Sequence, residues 1–200
     1  MVEEPKNAWH KKEDVIKQYS DPRRYRKTIM SRGWPEPEKH VNEFLRDNPG
    51  ASALEVGAGP FPLIQKFKKR TFVDLHEKLM KHLDGAKIVG DIREIELPKH
   101  DLVVLSEVLT HVEPERREEI VKKLANAANK QLIIVDEAFE PIFKATTIDE
   151  NELKRILETA GFECKLRFTT VGEPMLGKET IDYFLLKATR KTSLPVQGQR

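Results

Sequence analysis

Two rhythms of apolar residues run along this chain. Residues 52–56, 101–105 and 131–135 are short apolar runs without alternation, the pattern of strands covered on both faces. Residues 71–75 and 87–90 read as two more strands. Between these runs the spacing becomes helical. Residues 36–47 set Val41, Phe44 and Leu45 on one face and stop at Asn48-Pro49-Gly50. Residues 61–69 and 76–83 read as short helices. Residues 114–128 bring Ile120, Val121, Leu124 and Ala128 to core spacing, and residues 149–160 end at Gly161. Alternation of strand and helix predicts an α/β fold, a parallel sheet with helices on both faces. The last part breaks the rule. Residues 163–171 and 181–188 are long strands joined by a Gly/Pro loop too short for a helix, so they predict an antiparallel hairpin.

Three parts follow from this pattern. Residues 1–35 predict a mostly helical, basic segment. Between Lys6 and Trp34 nine Lys or Arg face three acids, and Ser20-Asp21-Pro22 opens a helix with a capping side chain and a first-turn proline. Residues 36–190 form the α/β domain. Residues 191–200 have no periodicity and read as a loose tail.

Composition narrows the classes. At 200 residues, with 38% hydrophobic and 34% charged positions, the chain can bury a core of its own and is not a disordered sequence. A net charge of +2, from 35 basic and 33 acidic residues, is too even to mark a nucleic-acid binder. The single cysteine, Cys164, cannot form an internal disulfide. Residues 1–12 lack the apolar core of a signal peptide, and no apolar run approaches the roughly 20 residues of a membrane span. A cytoplasmic protein with no membrane partner is expected.

In an open α/β sheet a ligand binds beyond the carboxyl ends of the strands. The first strand runs into Glu55-Val56-Gly57-Ala58-Gly59-Pro60-Phe61, where two glycines permit close approach of backbone to a ligand. Asp74 follows the second strand, nineteen residues beyond Glu55, and an acid there can accept both hydroxyls of a ribose. Gly90-Asp91-Ile92 follows the third, where an acid can take an adenine amino group and the next amide can meet the ring. Ser106-Glu107 follows the fourth and Asp136-Glu137 the fifth. A dinucleotide-binding dehydrogenase fits less well, because its fingerprint wants glycine or alanine where Pro62 stands.

Leu54-Glu55-Val56-Gly57-Ala58-Gly59 resembles the first motif of the class I S-adenosylmethionine-dependent methyltransferases, and the order and spacing of the later strand ends resemble that family over roughly residues 38–188. The 101–112 block resembles its small-molecule branch. The resemblance implies a Rossmann-like, seven-stranded, mostly parallel sheet with an N-terminal helical cap and S-adenosyl-L-methionine as cofactor. It implies Glu55, Gly57, Gly59, Asp74, Asp91, Ile92 and Ser106 as cofactor-binding residues. Phe61 departs from the family's third glycine, and Asn126–Lys130 departs from its Gly-rich loop before strand five. The family's N-P-P-Y or D-P-P-Y sequence is absent after strand four, which weighs against exocyclic base amines as acceptors.

The expected reaction is methyl transfer to an O or N nucleophile, with a small molecule as acceptor. RNA or protein acceptors, or a non-catalytic binding subunit of the same fold, are the alternatives. A hydroxyl acceptor needs a base, and His111 is the first candidate, Glu107 the second. Each also has a structural reading, as a packing residue and as a pocket or turn residue. Glu107, Asp136, Glu137 and Glu140 are expected to form an acidic rim that draws a cationic substrate. No metal is expected. Tyr19 and Tyr25 on the cap have either a ligand contact or ordinary packing as their role. Oligomeric state is left open.

Overall fold

A computed structural model of the chain describes residues 35–139, 149–172 and 180–191. The predicted cap, with Trp9, Tyr19, Tyr25 and Trp34, lies outside the described residues, as do Glu140 and residues 192–200. In chain order the elements are α1 (Pro35–Asp47), β1 (Ser52–Val56), β2 (Lys69–Asp74), α2 (Glu77–Met80), β3 (Ala86–Val89) and β4 (His100–Ser106). A 3-10 turn (Leu109–His111) leads to α3 (Pro114–Ala127), β5 (Ala128–Phe139), α4 (Glu150–Thr159), β6 (Phe162–Gly172) and β7 (Thr180–Arg190).

The strands make one seven-stranded sheet in the order β3-β2-β1-β4-β5-β7-β6. β1 to β5 are mutually parallel, and β7 runs antiparallel to both β5 and β6. The period of two along each strand divides the core into two layers. Leu54, Val56, Val103, Leu105, Leu132 and Ile134 face α3 and α4. Ala53, Leu102, Val104, Ile133 and Val135 face the other way, toward Val41 and Phe44 of α1 and toward Phe67. Both faces are therefore covered, which is why these strands lack polar alternation. Asp149 caps α4 as its position in the sequence suggests, its Oδ1 accepting the amides of Asn151 and Glu152, each at 3.0 Å.

Three local expectations are corrected. Residues 61–69 are not a helix. They form turns, and β2 already starts at Lys69. The backbone groups that a helix would pair are taken by side chains instead. Glu55 Oε2 accepts the amides of Leu63 and Ile64, and Arg70 Nη1 donates to the carbonyls of Gln65 and Phe67. Residues 76–83 shorten to the single turn of α2. The expected loop at 126–130 is missing, because α3 ends at Ala127 and β5 begins at Ala128. Arg190 braces this junction, its Nη2 donating to the carbonyls of Ala125 and Ala128 at 2.8 and 2.9 Å. Among the described residues, no helix is long and apolar enough to cross a membrane.

Candidate functional site

Strand order reverses between β1 and β4, so a crevice opens at their carboxyl ends. The turn leaving β1 fills its floor. Gly57 and Gly59 take φ values of +75° and +50°, where a Cβ is strained. The amides of Gly57 and Ala58 both donate to Val73 O of β2, at 2.9 and 3.2 Å. A Cβ on Gly57 would lie 2.4 Å from Ser106 O and 2.6 Å from Val108 Cγ2, so backbone from β1 and β4 meets here at a distance that only glycine allows. Phe61, at the position of the missing third glycine, is 37% exposed, between the buried prolines 60 and 62. His82 Nε2 sits 2.9 Å from Pro60 O and ties this turn to the segment after α2.

The acids of β1 and β2 grip this turn. Glu55 is 2% exposed, and its Oε2 accepts Leu63 N at 2.8 Å and Ile64 N at 3.1 Å. Burial pushes its carboxyl up to about 8, against the pull of those two amides. Asp74 Oδ2 accepts Gly59 N at 2.9 Å and its Oδ1 accepts His76 N at 2.9 Å. Burial raises its pKa too, and the two amides oppose the rise. Asp74 thus links the glycine turn to the start of α2, and each of its oxygens keeps a lone pair beyond the amide it holds.

Asp91, 4% exposed, is paired inward. Arg93 donates to its Oδ1 through Nε at 2.9 Å and to its Oδ2 through Nη2. The same guanidinium donates through Nη1 to both oxygens of Glu113, at 2.7 and 2.9 Å. Arg93 therefore ties the end of β3 to the residue before α3, and its pKa is raised, chiefly by the Asp91 bond. Ile92 is buried in the layer under α3.

At the end of β4, Ser106 Oγ is buried with no partner in hydrogen-bonding geometry, though it lies near enough to Glu55 to favour the ionised carboxyl. Glu107 has φ +51°, an uncommon conformation for a residue with a side chain, and its amide donates to Val135 O at 2.9 Å. His111, half-buried, closes the 3-10 turn, its amide donating to Val108 O at 3.0 Å. Asp136 overturns part of the expected acidic rim. It is fully buried, and its Oδ2 accepts Val108 N at 3.0 Å and Leu109 N at 2.7 Å. Arg117, 6% exposed, completes this turn from the other side, its Nε donating to the carbonyls of Leu109 and Val112, each at 3.0 Å. Burial lowers the Arg117 pKa and the Asp136 charge raises it.

Glu55, Gly57, Gly59, Asp74, Ser106 and Glu107 are thus brought to one mouth, with Asp91 and Ile92 on the neighbouring strand end. Sequence reading missed Arg93, Glu113 and Arg117. Arg117 did leave a signal, since it falls on the same face of α3 as Ile120, Val121 and Leu124. Among the described residues no group of three or more His, Cys, Asp or Glu can hold a metal ion.

Two outcomes follow. The fold favours protonated Glu55, so the stability tied to it is complete below its ordinary pKa of 4.5 and is lost as pH rises through about 8. Chemical denaturation of Glu55→Gln should show a flatter pH dependence and a stability above wild type at pH 8.5, by at most about 5 kcal/mol. Parallel pH curves for the two proteins would refute this environment for Glu55. Asp136→Ala leaves two amides without their acceptor and withdraws the larger of the two charges that offset the burial of Arg117, and urea titration should show a loss of about 3–5 kcal/mol.

A family model described as mitochondrial small ribosomal subunit Rsm22 matches residues 69–158, less than half of the chain. No curated protein sequence matches. Solved structures match over nearly the whole chain. The 1,6-didemethyltoxoflavin-N1-methyltransferase of Burkholderia thailandensis, with bound 1,6-didemethyltoxoflavin and S-adenosylhomocysteine, aligns with a TM-score of 0.67 at 18% identity, covering 96% of this chain and 94% of that one. The magnesium protoporphyrin IX methyltransferase of Synechocystis PCC 6803, with bound S-adenosylhomocysteine, aligns with a TM-score of 0.65 at 18% identity, covering 90% and 99%. With the strand order and the turn at Gly57, these likenesses identify the fold of this chain as that of the class I S-adenosylmethionine-dependent methyltransferases.

Proposed function

We propose that this chain is an S-adenosylmethionine-dependent methyltransferase, cytoplasmic, that transfers a methyl group to an O or N nucleophile of a small molecule. Residues 36–190 would form its catalytic domain and residues 1–35 its cap. The observation that carries the reading is the cradle at Gly57, where a Cβ would strike Ser106 O and Val108 Cγ2. Ser106 Oγ, buried and lacking a hydrogen-bond partner beside that cradle, is a group that a polar ligand would satisfy. Both features fit an adenosyl cofactor, as does the occurrence of S-adenosylhomocysteine in both solved relatives.

Asp74 would accept ribose hydroxyls through the lone pairs left by Gly59 N and His76 N. Ile92, with Asp91 held by Arg93, would shape the adenine wall. Glu55 supports this surface from below, because its bonds to Leu63 and Ile64 fix the turn. When bound, S-adenosylmethionine supplies an electrophilic methyl on a sulfonium, and a neutral thioether leaves. The chain's own work is then to hold the acceptor in line and to exclude water. For a hydroxyl acceptor, an imidazole nitrogen of His111 would take the proton, with the Glu107 carboxylate as the second candidate.

The Rsm22 match favours a second reading, a protein of the same fold that acts on ribosomal RNA or docks there as a non-catalytic subunit. Transfer of tritiated methyl to small amines and phenols, set beside transfer to small ribosomal subunits, separates the two.

Calorimetric titration should show binding of S-adenosylmethionine and S-adenosylhomocysteine but not of NAD. Asp74→Ala should weaken both by roughly tenfold or more, a loss of about 1.4 kcal/mol or more. His111→Ala should slow turnover and leave cofactor affinity unchanged. Absence of binding by both adenosyl ligands would overturn the proposal.

A further inference from the structure

A second polar recess lies at the opposite end of the sheet, at the amino ends of the parallel strands. It is a groove of about 580 Å³ between the last turn of α1, the start of β5 and the end of β7. The strand register explains why it is polar. Ile133, Val135 and Leu185 belong to the core layer under α1. In the antiparallel pairing Ile133 lies opposite Lys187 and Gln131 opposite Thr189, so Gln131, Lys187 and Thr189 continue that same layer beyond the core.

Gln131 is 5% exposed, lines the groove, and its Nε2 is buried without a hydrogen-bond partner. An amide donor in that state needs an acceptor. Lys130, Lys187 and Lys191 also line the groove. Lys130 is tied to Asn48 Oδ1 at 3.3 Å and Asp101 Oδ1 at 3.7 Å. Lys187 is half-buried on the sheet, and among the described residues neither it nor Lys191 forms an ion pair. The two carboxylates of the groove have partners on α1 itself. Glu43 Oε2 lies 3.2 Å from His40 Nδ1, and Asp47 pairs with Arg46 at 3.0 Å.

We propose that this basal groove is a phosphate-binding site, in which Gln131 Nε2 and the ammonium groups of Lys187 and Lys191 donate to the oxygens of one phosphate group. Two cations and a buried amide donor on one wall match a tetrahedral oxyanion. The volume admits a nucleotide-sized ligand. The site is separate from the mouth at Gly57 and does not depend on methyl transfer. The phosphate belongs either to a free phosphorylated small molecule or to the backbone of a nucleic-acid strand.

The test is NMR of the full-length protein, following the side-chain NH₂ signal of Gln131 and the backbone amide signals of Lys187 and Lys191, which remain readable in a Gln131 variant. Pyrophosphate, uridine monophosphate and a single-stranded RNA oligomer are titrated separately, with sodium chloride as the ionic-strength control. At least one phosphate probe should shift the Gln131 signal saturably, while sodium chloride does not. Lys187→Gln should weaken that binding by roughly tenfold. Gln131→Leu removes the unpaired donor, so it should lower affinity without lowering the melting temperature, and a folded variant remains available. Saturation by the small phosphates alone assigns a free ligand. Tighter binding of the RNA, falling steeply with salt, assigns a strand. A Gln131 signal indifferent to all three probes, or affinities unchanged in both variants, overturns the proposal.

Discussion

Acidic side chains that each accept two backbone amides hold the carboxyl end of this sheet in shape. The strands are apolar and covered on both faces, so the loops that leave them turn where water is scarce. Amides in such turns need partners. Glu55 takes Leu63 and Ile64, Asp74 takes Gly59 and His76, and Asp136 takes Val108 and Leu109. An acid side chain suits this work, since one oxygen can accept two amides, as Glu55 Oε2 and Asp136 Oδ2 do, or the two oxygens can divide them, as in Asp74. Asp91 belongs to the same scheme, with Arg93 as its donor and Glu113 on the far side of the guanidinium. Arg117 is the counterpart of Asp136, one side chain fixing the carbonyls of the turn after β4 and the other its amides.

This scaffold lets the mouth between β1 and β4 be narrow and polar. With the loops fixed from beneath, Gly57 can approach β4 to a distance that excludes a side chain, and Ser106 Oγ can sit beside it without a partner. A ligand entering there meets a surface that is already arranged, so little of its binding energy is lost to ordering the loops. The raised pKa of Glu55 is the electrostatic cost of placing that support in the core.

The fold was legible because it rests on repetition. Apolar runs marked five parallel strands, and the lack of helical room marked the β6–β7 hairpin. Asp149 marked the start of α4. Residues 61–69 were misread because their apolar spacing is helical, while the contacts that decide their shape come from the side chains of Glu55 and Arg70, which flank the segment and which apolar spacing does not register. The strand-end acids were found by position, yet the bonds that Glu55, Asp74 and Asp136 make to backbone were not, since these reach segments that only the fold brings beside them. Asp136 shows this most clearly. In sequence it stands beside Glu137 like a rim residue, and in the fold it is fully buried. Gln131 stayed hidden for a similar reason, because its groove exists only where β5, β7 and α1 meet.

Amide hydrogen exchange, read residue by residue on the ligand-free protein, tests this account most directly. Exchange of Leu63, Ile64, Val108 and Leu109 reports whether the acidic side chains hold the loops before any ligand arrives. The account predicts protection of these four amides comparable to that of Val104 and Ile133 in the central strands. Exchange of the four at the rate of an open loop, with the strands still protected, would contradict it.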